Sequence, residues 1–331
     1  MRNSINALLS LVRRDERAVV KLYQVLTSYA RLLTETSMIN FGFWTHQTKS
    51  IKQAQLALCT LTGKLAELDS AKKIIDIGSG FSGPAEQWAL EYKFIDNLIC
   101  MDINYQALKM SCVSNKRYSY DKNLLTEPTV KKKVTNKKYT TNRSSATMSL
   151  VNATATCLPF AECFADRIVA LESAQHFKSF LQFIQESHRV LKKGGLIVIA
   201  IPVLTSAKAI EMSCKNTILD SVRNARVLGI LSLTWASQHY ELNRIRSIIS
   251  QEHFEIKDIV CIGLSVYVPL TDFYVQDRKK FLSILVSKHS SFLKKLVLDI
   301  GERIVHRSAL KMKQLSLSGN IDYVLIKALK K

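Results

Sequence analysis

Glycine and proline are scarce, at 11 and 5 of 331 residues, which excludes collagen-like repeats and Pro/Gly linker architectures. The cysteines (Cys59, Cys100, Cys112, Cys157, Cys163, Cys214, Cys261) contain no C-x-x-C pair. A zinc ribbon or disulfide framework is therefore not expected, and the thiols read as small buried hydrophobes in a reducing, cytoplasmic setting. Long apolar runs are missing too. The best two, Leu196–Ala207 and Ile259–Thr271, fall short of the ~18–20 residues a bilayer span needs. At the N-terminus there is neither a signal-peptide apolar core nor a small-residue cleavage site. Arg2, Arg13, Arg14 and Arg17 have the charge of a transit peptide, but Asp15 and Glu16 count against one. His46, His188, His239, His253, His289 and His306 show no metal-site spacing, so no metal is expected.

What is present is a hydrophobic fraction of 47%, enough for a sizeable core, and a net charge of +20. The basic excess is concentrated. Lys116–Arg143 carries Lys116, Arg117, Lys122, Lys131, Lys132, Lys133, Lys137, Lys138 and Arg143 against Asp121 and Glu127, and Arg278–Lys331 is also Lys/Arg-rich. Such runs draw nucleic acid or an anionic membrane surface at long range. Neither interleaves its cations with an ordered aromatic stacking pattern, so they read first as solvated surface.

Apolar spacings of three and four predict helices over Ala18–Leu33 and Ile51–Leu68, giving an N-terminal helical cap over 1–70. Between them lies the aromatic, Gly-broken cluster Asn40-Phe41-Gly42-Phe43-Trp44. Residues 71–331 then read as the main domain. Strands are expected at Lys73–Ile77, Asn97–Met101, Ser149–Val151, Arg167–Leu171, Leu196–Ile201, Phe254–Val260 and Ile321–Lys327, with helices between. His176–Leu191 reads as an amphipathic helix ending in Lys192-Lys193-Gly194-Gly195, with cations and a left-handed glycine cap at its C-terminus. Residues 113–147 are rich in Lys, Thr, Asn and Ser and read as a flexible insertion. Residues 262–320 read as a helical substrate lid. The alternation predicts an α/β, doubly wound, mostly parallel sheet.

Strand Lys73–Ile77 runs into Asp76-Ile77-Gly78-Ser79-Gly80-Phe81-Ser82-Gly83, and Pro84 suits the first helical position. The pattern G-x-G-x-x-G followed by Asp102 also suits NAD on a Rossmann unit. Three features favour a different nucleoside. Asp76, just ahead of the glycines, suits a cationic amino-acid tail better than a pyrophosphate, which helix N–H groups would hold. Asp102 ends the second strand, where a carboxylate can accept from both ribose hydroxyls. Asn152-Ala153 with Leu158-Pro159-Phe160 sits where an adenine ring would be read.

These residues resemble the class I S-adenosylmethionine-dependent methyltransferases, in their small-molecule branch (natural-product sugar, polyketide and sterol-type enzymes). Asp76–Gly80 resembles the first motif, Met101-Asp102 the acidic ribose motif, and Asn152-Ala153 with Leu158-Pro159-Phe160 the D-A-x-x-L-P-F segment. Ala170–Phe177 is similar to the fourth-strand motif, Lys192–Leu196 to the K-P-G-G turn, and Asn40–Trp44 to the N-F-G-Y-W element. The resemblance implies a Rossmann-like, doubly wound seven-stranded sheet with the last strand antiparallel, N-terminal helices, a helical lid before the last strand, and S-adenosyl-L-methionine as cofactor. It implies that Asp76, Gly78, Ser79, Gly80, Asp102, Ile103, Asn152, Ala153, Leu171 and Trp44 hold that cofactor. The adenine-reading acid is Asn152 here, whose amide oxygen can still accept, and no acid follows the fifth strand at Ala200-Ile201-Pro202.

For the reaction, His176 is the candidate base, because it follows the fourth strand and its ordinary pKa suits the role. Glu172 is the second catalytic candidate. Phe43, Trp235, Tyr240 and Tyr267 are candidates to line the substrate. The expected activity is methylation of a small organic acceptor, a hydroxyl of a sugar, polyketide, quinone or isoprenoid-like metabolite. The alternatives are an RNA or protein methyltransferase guided by the basic insertion and C-terminal region, and a non-catalytic scaffold that has kept the cofactor fold.

Overall fold

A computed structural model of the chain describes Val20 and residues 37–114, 134–138, 146–205, 240–287 and 292–331. The helix expected over Ala18–Leu33 lies outside these residues apart from Val20.

Strands β1 (Lys73–Ile77), β2 (Asn97–Asp102), β3 (Val134–Lys138), β4 (Thr147–Asn152), β5 (Ala165–Leu171), β6 (Leu191–Leu204), β7 (Phe254–Cys261) and β8 (Ile321–Lys330) form one sheet in the order β3-β4-β2-β1-β5-β6-β8-β7. Pairing is parallel from β4 through β2, β1 and β5 to β6. The last strand, β8, runs antiparallel to both β6 and β7. This is the expected α/β sheet with one addition. β3 pairs antiparallel with the edge of β4, in a segment whose composition reads as flexible. Its sequence Val-Thr-Asn-Lys-Lys has no alternating apolar face, so only the backbone ladder marks it as a strand.

The central strands are Ile/Val-rich because helices cover both faces. Ile74, Ile75, Ile77, Ile168, Val169, Ile197, Val198 and Ile199 are all buried. Helices α1 (Ile51–Leu65), α2 (Gly83–Glu91), α3 (Tyr105–Ser114), α4 (Phe180–Val190) and α5 (Leu242–Gln251) pack around the sheet, and α6 (Gly263–Ser287) and α7 (Phe292–Leu317) form a long pair before β8. That pair is tied by Glu302, which accepts from Arg278 Nη2 at 2.7 Å and from Tyr274 Oη at 2.8 Å. Among the described residues, no helix is long and apolar enough to cross a membrane.

Helix α4 starts later than the pattern predicts. Ser179 accepts from the Gln182 amide at 3.2 Å and caps it there, leaving Ala174–His176 as a separate 3₁₀ turn. Its C-terminus also differs: Leu191 leaves in an extended conformation, and the positive-φ residue, Gly194, lies within the irregular start of β6 rather than at the helix cap. Cys59 and Cys100 are buried as expected, but Cys157, Cys163 and Cys261 are exposed. They sit at strand and loop ends, where an apolar stretch meets solvent.

Candidate active site

The carboxyl ends of β4, β2, β1 and β5 open onto a cleft. This is the edge where open α/β sheets bind ligands. From the end of β1 and its turn the wall takes Asp76, Gly78, Ser79 and Gly80, and from the end of β2 and its loop Asp102, Ile103 and Asn104. Past β4 come Ala153, Thr154 and Ala155, and from the end of β5 onward come Leu171, Glu172, Ser173, His176 and Phe177. The remaining side is closed by Ser37, Ile39 and Asn40 of the segment before α1, and among the described residues no part of the wall comes from α6 or α7.

The turn after β1 is held from two sides. The amides of Gly78 and Ser79 both donate to Met101 O, at 2.7 and 3.0 Å. Asp102 accepts from the Gly80 amide and from the Asn104 amide, each at 2.7 Å. Ser173 Oγ donates to Ile77 O at 2.5 Å and presses its Cβ over Gly78. Gly78 has φ +74°, and an added Cβ would lie 2.3 Å from Ser173 Cβ. Gly78→Ala should therefore cost about 2 kcal/mol or more, read as a lowered thermal midpoint. An unchanged midpoint would show that the turn is not packed this way.

Charge in the cleft is dominated by burial. Asp76 is 2% exposed, and its Oδ2 has no hydrogen-bond partner. Burial, reinforced by the nearby Asp102 charge, pushes its carboxyl up to about 8. Burial likewise raises Asp102, while its two amide donors lower it. Glu172 sits at φ +53°, a left-handed conformation costly for a non-glycine residue. Its Oε1 accepts from the Phe41 amide at 2.9 Å and from Tyr323 Oη at 3.0 Å. Burial raises it to about 8 against the pull of those two bonds. His176 moves the other way, to about 3, because burial penalises the imidazolium.

These shifts set a pH dependence. Asp76 and Glu172 bind protons more tightly folded than unfolded, so they stabilise the fold at low pH and lose that contribution as pH rises through about 8. His176, depressed below 6.5, opposes them only at more acidic pH. The thermal midpoint of cofactor-free protein should fall between pH 6.5 and 8, at up to about 1.4 kcal/mol per pH unit for each carboxyl. Asp76→Asn/Glu172→Gln should flatten that slope; an equally steep slope in the double variant would assign the dependence elsewhere.

Of the residues expected to bind cofactor, Asp76, Gly78, Ser79, Gly80, Asp102, Ile103, Ala153 and Leu171 share the cleft, and so do Glu172 and His176. Others lie elsewhere. Asn152 is exposed and spends its amide nitrogen on Asp102 O and Ile103 O, at 2.9 and 3.0 Å, tying β4 to the loop after β2 rather than lining the wall. Trp44 is buried against Phe273, with its indole N–H on Phe41 O at 3.2 Å. Phe43 packs into the cluster of Leu58 and Tyr267. Tyr240 is core, beside Phe180, and Tyr267 lies between Phe41 and Tyr323. None of these four aromatic residues lines the cleft. Gly42, at φ +82° with a would-be Cβ 2.5 Å from Ala54 Cβ, turns the segment so that Phe43 and Trp44 face α1 and α6. Trp235 lies outside the described residues. The expectation that His176 keeps an ordinary pKa is also corrected, since burial removes it from the neutral range.

Sequence reasoning passed over Asn40, Asn104, Ser173 and Phe177. Asn40 carried a legible signal: an Asn two residues before a glycine forms an Asx turn, and its Oδ1 accepts from the Gly42 amide at 3.1 Å. For the other three, which wall they join depends on the loops after β2 and β5.

The donor set fits S-adenosylmethionine. A buried carboxylate oxygen without a partner stands ready for an ammonium, Asp102 keeps lone pairs beyond its two amides, and a glycine turn brings backbone close to the cleft. The sheet order, antiparallel last strand and acid-glycine cleft together define the class I S-adenosylmethionine-dependent methyltransferase fold. Residues 75–199 match the family model described as a methyltransferase domain.

Among curated proteins, the erythromycin 3''-O-methyltransferase of Saccharopolyspora erythraea is 22% identical over 188 residues, 57% of this chain. The match spans about half of that relative, 53% of its length. Among solved structures, the cyclopropane synthase MmaA2 from Mycobacterium tuberculosis is similar, with a TM-score of 0.67 and 12% identity over 96% of this chain and 99% of that one. The [4+2]-cyclase SpnF is similar with a TM-score of 0.61 and 16% identity, over 94% and 96% of the two chains. These structural likenesses concern the fold.

Proposed function

We propose that this protein is an enzyme that transfers the methyl group of S-adenosylmethionine to a small organic acceptor, by in-line displacement onto a hydroxyl oxygen. The observation that carries the reading is the cleft itself, which Asp76, Asp102 and the Gly78–Gly80 turn line together with His176 and Glu172. Asp76 would hold the ammonium of the amino-acid tail, Asp102 the ribose hydroxyls, and Ile103 and Ala153 the adenine faces. Bound there, the cofactor supplies an electrophilic methyl on a sulfonium that needs no further activation.

The chain's own contribution is then alignment, exclusion of water and removal of one proton. Leu171 and Phe177 give the cleft apolar wall beside Glu172 and His176. His176 lines the cleft as the candidate to take the proton of an acceptor hydroxyl, and burial keeps its imidazole neutral at physiological pH. Glu172, raised to about 8, is largely protonated there and already receives two donors, so it serves as a positioning residue rather than the base. An oxygen acceptor of the sugar, polyketide, quinone or isoprenoid-like kind fits this arrangement, and the similarity to the erythromycin 3''-O-methyltransferase supports it.

The test is incubation with methyl-labelled S-adenosylmethionine and a panel of hydroxylated metabolites, with the product bond located by NMR. A labelled methyl ether is the expected product. Label on carbon would replace oxygen transfer with C-methylation, and label found only in RNA or protein would overturn the small-acceptor reading.

A further inference from the structure

Among the described residues, α6 and α7 add nothing to the cleft wall. Their base rests on the sheet: Val266 and Tyr267 of α6 and Met312 and Leu315 of α7 are buried in one cluster with Tyr323 and Leu325 of β8. Beyond Tyr267, α6 runs on to Ser287, about 30 Å of helix, and α7 returns over a similar length from Phe292 to Met312. Along that length the two helices hold each other. Thr271 Oγ1 donates to Ala309 O at 3.1 Å, and Glu302 takes Tyr274 and Arg278. Each helix exposes one stripe. On α7, Arg303, Arg307, Leu310, Gln314 and Leu317 are exposed at spacings of four, three, four and three. On α6, Leu264, Asp272, Val275 and Lys279 share an exposed face, with Lys280 beside them. Leu264 and Leu317 are 59% and 61% exposed, well beyond grazing contact with solvent. Toward the far end of the pair the sequence is more apolar still, with eleven of the sixteen residues in Phe281–Ser287 and Phe292–Ile300. The charge has one dominant sign. The two helices carry nine Lys/Arg against four acids, and two of those acids, Glu302 and Asp272, are already paired with Arg278 and Lys313.

Exposed aliphatic side chains set among excess cations are the composition of a helix that lies on a membrane. The apolar groups enter the acyl boundary while Lys and Arg are drawn to anionic headgroups. A single-stranded nucleic acid would use the cations but would need aromatic faces to stack on, and the apolar residues of these stripes are Leu and Val. We propose that the exposed stripes of α6 and α7 dock this protein on an anionic phospholipid surface. The base of α6 is fastened to the segment that closes the cleft. The Trp44 amide donates to Ser265 O at 2.8 Å, and Phe41 meets Tyr267 edge-on with ring centroids 6.0 Å apart. The Phe41 amide in turn holds Glu172. Docking therefore places the cleft at the bilayer surface, and the acceptor it serves is a hydroxylated lipid of the quinone or isoprenoid-like kind, dissolved in that bilayer. This choice of acceptor rests on the methyl-transfer reading above and narrows it; the docking itself stands on the helix pair.

The experiment is co-sedimentation of the purified full chain with vesicles of phosphatidylcholine alone, and of phosphatidylcholine and phosphatidylglycerol in equal parts. Wild type should bind the mixed vesicles about 10-fold more tightly than the neutral ones, or better. Lys279→Gln/Lys280→Gln/Arg307→Gln should weaken binding to the mixed vesicles about 100-fold, at roughly fivefold per cation. Leu310→Ser/Leu317→Ser should weaken it about 10-fold and keep the preference for anionic vesicles. All five residues are exposed, so both variants should keep the wild-type thermal midpoint and wild-type affinity for S-adenosylhomocysteine. A wild type that ignores both kinds of vesicle overturns the docking. Binding that the serine variant leaves unchanged, and that polyuridylate displaces, overturns it in favour of a general polyanion surface. A dimer that the serine variant dissociates, in protein that ignores vesicles, overturns it in favour of a second copy of this chain. Methyl label on a water-soluble sugar rather than on a lipid-soluble hydroxyl overturns the acceptor class and leaves the docking standing. Docking without affinity for S-adenosylhomocysteine overturns the cofactor reading and the acceptor class with it, and leaves the membrane surface assigned.

Discussion

Asp76→Asn should bind S-adenosylmethionine about 100-fold more weakly than wild type and yet, free of cofactor, be the more stable protein above pH 8. Both halves come from one atom. Asp76 is buried, its Oδ2 has no partner, and its carboxyl is pushed up to about 8. Ionising it in the empty cleft is unfavourable, because burial and the Asp102 charge both act against it. An amide removes that cost and with it the negative charge that a bound ammonium needs. The same linkage predicts that cofactor affinity rises with pH between 6.5 and 8, since the proton on Asp76 must leave as the cation binds. Calorimetry in buffers of different ionisation enthalpy would register that proton. Wild-type affinity in Asp76→Asn, or a cofactor-free protein destabilised at alkaline pH, would remove Asp76 from the site.

His176→Ala should lower kcat by about 100-fold or more while cofactor affinity stays within about threefold. The imidazole follows β5 in a 3₁₀ turn, with its backbone amide on Ser173 O at 2.9 Å, and the residue lines the cleft. Held near pKa 3 by burial, it is neutral throughout the working range, so kcat should show no acidic limb near 6.5. Glu172→Gln separates the two candidates. Gln keeps an acceptor for the Phe41 amide and Tyr323 Oη, so a positioning Glu172 predicts a change mainly in KM. A near-normal kcat in His176→Ala together with a collapsed kcat in Glu172→Gln would exchange their roles.

The parts of the fold that depend on local pattern were legible in the residues. Ile74 and Ile75 before the glycine turn, Ile168 to Val169, and Leu196 to Ile201 are apolar because both sheet faces are covered, and they lie where expected. Asp76 and Asp102 could be placed because each lies at the carboxyl end of a strand whose register fixes it; Asp76 stands opposite Cys100, one pair from the end of the β1–β2 ladder, and Asp102 is the last residue of β2. Strand β3 was not legible. Its pairing with β4 is a backbone ladder, and its side chains, two of them lysine, carry no period that distinguishes an edge strand from a solvated loop. The segment 40–44 was legible as a site element but not in its orientation. A single positive φ at Gly42 decides that Asn40 faces the cleft and that Phe43 and Trp44 face the core. Tyr240 and Tyr267 fail for the same reason: an aromatic with a polar tip reads equally as pocket wall or core, and both are core here.

The most direct measurement is calorimetric titration of the purified full chain with S-adenosylhomocysteine, and separately with NADH, at pH 7. Saturable binding of the sulfur nucleoside at one site per chain, with release of a proton and no response to the dinucleotide, is the predicted result. NADH uptake without S-adenosylhomocysteine binding would contradict the assignment of this cleft.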